Sequence, residues 1–250
     1  MKRFLSILLS LATLVSVAAC SAPASSSVAP ASAAASASAE APAATELDVL
    51  KIGVAALPDT MDPIIKVGNT GIRVQYNVFE TLILCDQQDN SAKKPMLAES
   101  WKRIDDNTLE FTLRKGVRFH NGDELTAEDV LFTIQRMSTN FMYSSRVDAA
   151  DFDKATSEGL TVTIPMKYYD ARFVPNLTGE LGFIMDKSYV EQVGEEEAGR
   201  NPVGTGPYTF VEWKAGESVT LNRNTDYWGE QPDFETIVYK FFTEDNTRVL

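Results

Sequence analysis

Hydrophobic and polar residues alternate with the two-residue period of a strand in several short stretches of the chain, and recur with a helical period in others. Leu109, Phe111 and Leu113 alternate with Glu110, Thr112 and Arg114, which predicts a strand with one buried face. Lys115-Gly116 then reverses the chain, and Val117 and Phe119 alternate with Arg118 and His120 as a second short strand ending on the turn dipeptide Asn121-Gly122. A helix follows at once. Thr126 is its cap, Asp129 stands where a capping-box acid belongs, Glu128 and Asp129 suit its positive end and Arg136 its negative end. Val130, Leu131, Ile134 and Met137 form its apolar stripe.

Other strands are predicted from the alternation of Leu50, Ile52 and Val54, of Leu160, Val162 and Ile164, and of Ile237, Tyr239 and Phe241, with a short one over 182–185. Residues 208–214 and 218–221 form a hairpin around Ala215-Gly216. Ile72, Tyr76, Phe79 and Ile83 fall at helical spacing, and Asp186 caps a helix of Tyr189, Val190 and Val193 that Gly194 ends. Residues 243–250 carry the cap and first-turn acids of one more helix. Together these elements predict a mixed α/β fold.

The first part of the chain has no such pattern. Lys2 and Arg3 precede an apolar run over 4–19 that ends Val17-Ala18-Ala19-Cys20, an export signal over 1–20 whose end looks like a bacterial lipobox. Cys20 would then be the lipidated first residue of the mature protein. The other reading is an ordinary secretory signal with a chance cysteine. Residues 21–46, mostly Ala, Ser and Pro, read as a flexible linker with nothing to pack, and the folded part starts at Leu47.

Composition narrows the chemistry. The chain has 250 residues, 44% of them hydrophobic, enough for a sizeable core. A formal net charge of -12 argues against nucleic acid or an anionic membrane surface as a partner. With two cysteines and one histidine, no metal site of Cys/His spacing can be built and no cofactor is expected. His120, beside a turn dipeptide, reads as an exposed or hydrogen-bonded turn residue rather than a base, and Cys85 as a small buried side chain. Ser91 and Lys94 match the serine-x-x-lysine spacing of penicillin-interacting enzymes, but Lys94 precedes Pro95 and no Lys-Thr-Gly or Ser-Asp-Asn element accompanies them. Asp105-Asp106 and Glu195-Glu196-Glu197 read as solvated acids rather than glycosidase carboxylates. The glycines of Asn201-Pro-Val-Gly-Thr-Gly-Pro-Tyr208 fail as a nucleotide loop, because Thr209 replaces a third glycine and Pro207 would break the helix start. No catalytic residue is assigned.

The runs LAESW, TLEFTLRKGVRFHNGD and LTAEDVLFTIQRM over 97–137, the Asn201–Tyr208 segment, and Asn222-Arg-Asn-Thr-Asp-Tyr-Trp-Gly229 resemble extracellular solute-binding proteins of the peptide and nickel type (solute-binding family 5), which serve ABC importers. The resemblance covers residues 47–250. It implies a periplasmic-binding-protein-like lobe with a mixed β-sheet built from 47–79 and 186–250, an inserted α+β subdomain over 80–185, and a second lobe absent from this chain. It further implies a monomeric, lipid-anchored protein, periplasmic or on the outer face of the bacterial cytoplasmic membrane, that closes on a peptide or other small solute and delivers it to permease subunits. The family's cleft loop falls on Val67, Gly68, Asn69 and Thr70, whose backbone would pair with an extended ligand, and Tyr143 would be a wall of the same cleft. An exported hydrolase, or a surface adhesin or sensor on the same fold, is the alternative.

Overall fold

The computed structural model describes residues 48–65, 68–86, 88–89, 92–179 and 182–243. In chain order it contains β1 (Val49–Val54), α1 (Asn69–Val78), β2 (Ile83–Asp86), β3 (Ala92–Pro95), β4 (Ala98–Asp105), β5 (Thr108–Leu113), α2 (Ala127–Thr139), β6 (Thr156–Glu158) and β7 (Thr161–Pro165). Three short helices follow, α3 (Phe173–Asn176), α4 (Lys187–Val193) and α5 (Glu195–Arg200), and then β8 (Tyr208–Lys214), β9 (Ser218–Arg223) and β10 (Thr236–Phe241).

Two four-stranded sheets carry the fold. The first has the order β1-β10-β9-β8, with β1 parallel to β10 and the other neighbours antiparallel. Its register lines up one face in two rows, Leu50–Ile237–Leu221–Phe210 and Ile52–Tyr239–Val219–Trp213. The second sheet, β4-β5-β7-β6, is antiparallel, and Leu109, Phe111, Leu113, Val162 and Ile164 are buried on it. A β2-β3 hairpin stands beside it, and all of these elements belong to one compact unit.

Local chemistry explains the best-defined helix. In α2, Thr126 Oγ1 accepts from the Asp129 amide, and Asp129 Oδ2 accepts from the Thr126 amide, the reciprocal capping box. Val130, Ile134 and Met137 are buried as expected, whereas Leu131 is half-buried and Thr133 takes a buried place, its hydroxyl accepting from the Met185 amide at 3.0 Å.

Four expectations are corrected. Residues 117–125 make no second ladder: a single bridge joins Arg118 to Glu124, because the chain turns back at Gly122 (φ +95) before more pairs can form. The segment 182–185 likewise contributes only the Thr81–Phe183 bridge. Helix α1 stops at Val78, so Phe79 is its extended C-cap and Ile83 lies in β2. Its buried face is Gly71, Val74, Gln75 and Val78, while Tyr76 is 48% exposed. Cys85 is half-buried in β2 rather than part of the core. The predicted signal, Cys20, the linker and the helix beginning at Thr243 lie outside the described residues, apart from Thr243 itself.

Candidate functional site

In open sheets with parallel strands, ligands gather outside the carboxyl ends of those strands. Here β1 and β10 end side by side at Val54 and Phe241. Beyond Val54 the chain crosses the sheet end as Ala55-Ala56-Leu57-Pro58-Asp59-Thr60. A groove of about 190 Å³ separates Ala56, Leu57, Pro58, Asp59 and Thr60 from Gly68, Asn69 and Gly71. On the other side of the same crossing, a cavity of about 460 Å³ reaches Trp213, Ala215, Gly216 and Phe241.

Of the residues expected at the cleft, Gly68 and Asn69 line this groove. Asn69 and Thr70 are not loop residues, however. They start α1, with Gly68 as an extended N-cap (φ −124°, ψ 151°) that makes no side-chain cap bond, and no acid stands in the first turn. Gly68 itself supplies no side-chain cap to the amides of that helix start. A Cβ on Gly68 would meet nothing within 4 Å, so the wall of the groove is open there. Val67 lies outside the described residues. Tyr143 is 8% exposed within the core on the 138–153 connection and is not among the residues lining the groove.

The turn that follows the crossing is held from three sides. Asp62 is fully buried; its Oδ1 accepts from the amides of Ile64 (2.8 Å) and Ile65 (3.3 Å), and its Oδ2 pairs with Arg136 Nη2 of α2 at 3.0 Å. Arg136 also reaches Glu195 at the start of α5, so the acid run 195–197 is a helix start rather than only a solvated face. Met61 donates to the Gly199 carbonyl of α5 at 2.7 Å, and Asn140 to the Ile64 carbonyl at 2.7 Å.

The far end of α1 is fixed by a buried carboxylate. Glu80, 2% exposed, accepts from Tyr227 Oη (2.6 Å), Trp228 Nε1 (2.8 Å) and Thr205 Oγ1 (2.8 Å), and Arg114 of the loop after β5 stacks 4.6 Å over the Trp228 ring. Burial lifts the Glu80 carboxyl above its ordinary range, and these hydrogen bonds with the Arg114 charge pull it back down. Burial and the Glu80 charge likewise raise the Tyr227 phenol. His120 is a hydrogen-bonded turn residue: Nε2 lies 2.9 Å from the Gly206 carbonyl, the Gly204 amide donates to Nδ1 at 3.4 Å, and burial pushes its imidazole down toward the neutral form. Both ring nitrogens are thus engaged. Lys94 sits in β3 with Nζ on Asp86 (2.6 Å) and Asp89 (3.7 Å), while Ser91 lies outside the described residues. Among the described residues no group of three or more His, Cys, Asp or Glu is placed to hold a metal, and no helix is long and apolar enough to cross a membrane.

Sequence periodicity gave no sign of Glu80, of the Asp62–Arg136 pair or of the Trp213 side of the crossing. Their partners lie far away in the chain, from 74 residues for Asp62 and Arg136 to 148 for Glu80 and Trp228.

Residues 93–250 match the family described as bacterial extracellular solute-binding proteins, family 5 Middle. Protein XP55 of Streptomyces lividans is 32% identical over 211 residues, which cover 79% of this chain and 36% of that protein. The oligopeptide-binding protein AppA of Bacillus subtilis, solved in complex with a nonapeptide, superposes with a TM-score of 0.72 at 28% identity, covering 81% of this chain and 41% of the other. A dipeptide-binding protein of Pseudoalteromonas sp. SM9913, in complex with Met-Leu, does so with a TM-score of 0.74 at 26% identity, covering 81% and 45%. The chain therefore spans less than half the length of these relatives. Its mixed parallel and antiparallel sheet, with the groove across the ends of β1 and β10, is a lobe of the periplasmic-binding-protein kind, and the chain belongs to the bacterial extracellular solute-binding proteins, family 5.

Proposed function

We propose that this chain contributes one wall of the binding cleft of an exported, lipid-anchored protein that captures a peptide-like solute and delivers it to an ABC importer. The observation that carries the reading is the groove between residues 56–60 and the start of α1, where two of the three lining residues, Gly68 and Gly71, have no side chain. An extended peptide is recognised well by such a surface, since main-chain contacts tolerate many side chains. Relatives solved with a nonapeptide and with Met-Leu support the solute class. We also propose that residues 80–185 act as a subdomain carried on a lobe of 47–79 and 186–250, that Tyr143 acts through the packing of the 138–153 connection, and that the full protein is monomeric.

The test is calorimetry of the full-length protein against a panel of di- to nonapeptides. Gly68→Val adds bulk where no atom is met, so the variant should stay folded, at a cost of about 1 kcal/mol for the poorer N-cap, while losing about tenfold or more in affinity. Unchanged affinity removes this groove from the site. The lipid anchor is tested by Cys20→Ser, which should release the protein into the aqueous phase or leave its signal uncleaved; a variant that is still processed and stays in the detergent phase refutes the anchor.

A further inference from the structure

Directly after α2 the chain holds two large apolar side chains in water: Phe141 is 90% exposed and Met142 53%. The turn that carries them is well tied. Asn140 caps the end of α2, its carbonyl accepts from the amides of Tyr143 (3.1 Å) and Ser144 (2.8 Å), and its Oδ1 accepts from the Met142 amide at 2.9 Å. Tyr143 then anchors the turn in the core. The Asn140 side chain also donates to the Ile64 carbonyl at 2.7 Å, which brings Ile65, 42% exposed, beside the same tip. An apolar patch displayed on a fixed turn is a contact surface.

Composition and position narrow what covers it. Residues 138–145, Ser-Thr-Asn-Phe-Met-Tyr-Ser-Ser, carry no charge in a chain that is 23% charged. Aromatic residues and Met, with charges excluded and small polar side chains around them, are what the middle of a protein–protein contact holds. The net charge of -12 disfavours an anionic lipid surface. Ile65 and Gly68 are three residues apart, at most about 11 Å between Cα atoms, so the patch adjoins the groove. The relatives solved with peptide are much longer than the part matched here, which is 41% and 45% of their chains, so the full-length protein has ample chain to face the patch across the groove.

We propose that Phe141, Met142 and Ile65 form a closure contact, covered by an apolar surface of the opposite lobe of the full-length protein when the cleft shuts on a solute. The inference rests on the reading of this chain as one wall of a cleft. A contact made only in the closed form changes the fraction of binding-competent protein and touches no solute, so it scales the affinity for every solute by one common factor. Burying a Phe ring that starts 90% exposed is enough for about tenfold.

The test uses full-length protein, calorimetry with Met-Leu, a tripeptide and a nonapeptide, and small-angle scattering with and without peptide. Phe141→Ser should keep the wild-type midpoint of urea unfolding and weaken every peptide that the wild type binds by the same factor, about tenfold. Phe141→Leu, which keeps apolar area, should stay within about threefold of wild type. If the wild type binds none of the peptides, the functional reading fails and the closure contact with it. If peptides bind and Phe141→Ser leaves all affinities unchanged, the closure contact alone is overturned; loss of importer ATPase stimulation in that variant would then place the patch against the permease, and loss of a wild-type dimer would place it against a second copy. A loss confined to one peptide overturns it as well, because the ring then touches the solute itself. So does a lowered unfolding midpoint, which would make Phe141 part of this lobe's own packing, or a wild type whose radius of gyration does not fall on saturation with a peptide that it binds.

Discussion

The carboxylate of Glu80 should tie the segment that enters β2 to the segments flanking β8, β9 and β10, and its removal can be sized from the structure. It takes three hydrogen bonds from residues 125, 147 and 148 positions away, on segments that leave and enter the first sheet, while its own backbone leads into β2. Glu80→Ala would orphan the Trp228 and Tyr227 donors and the buried Thr205 hydroxyl, and open a cavity. Breaking a buried charged network by removing one member typically costs about 3–5 kcal/mol. Glu80→Gln keeps the volume. Its amide oxygen can still accept from Thr205 and Trp228, which share Oε2, and the Tyr227 hydroxyl can rotate to accept from the amide nitrogen, so about 1–2 kcal/mol is expected.

The dependence on pH has a definite sign. Burial raises the folded-state pKa above the ordinary 4.5, so the linked stability is fully present below that value and is lost as pH rises through the folded one. The stability gap between wild type and Glu80→Gln should therefore narrow as pH is raised from 4.5. Urea unfolding of the full-length protein at several pH values, followed by tryptophan fluorescence, measures both quantities. A Glu80→Ala variant within about 1 kcal/mol of wild type would refute the role of the network, and a gap that widens with pH would refute the direction of the shift.

Arg136→Met should cost about 3–5 kcal/mol, because it strands the fully buried Asp62 charge, whereas Glu195→Ala, whose side chain is 61% exposed, should stay within about 1 kcal/mol. Equal effects in urea unfolding would mean that the Asp62 pair is not the dominant contact. Gly204→Ala places a Cβ against the Val78 carbonyl and 2.9 Å from the Phe79 ring, and overpacking against that backbone should cost about 1–3 kcal/mol. Gly216→Ala, with nothing within 4 Å of its Cβ but φ at +70, serves as a comparison: there the cost should come from backbone strain alone, about 1 kcal/mol.

Much of the local structure was legible in the sequence, and the reason is range. The capping box of Thr126 and Asp129 closes over three residues, the β8–β9 hairpin turns at Gly216 (φ +70), and the alternation of Leu109, Phe111 and Leu113 needs only one buried face. Each is decided by neighbours along the chain. The runs over 97–137 and 201–229 also carried the family, and with it the expectation of a cleft loop at Val67, Gly68, Asn69 and Thr70 with Tyr143 as a wall; of these, Gly68 and Asn69 line the groove and Tyr143 does not. What the sequence could not decide was set by partners distant in the chain. Helix α1 ends at Val78 because Phe79 and Glu80 are claimed by packing and by the Thr205–Trp228 segment, although the apolar spacing ran on to Ile83. Phe210 and Trp213 face the same way only because β9 dictates the register of β8 and expels Val211 as a bulge. Periodicity reports that a strand has a buried face, but where a hydrogen-bond register slips depends on the strand beside it.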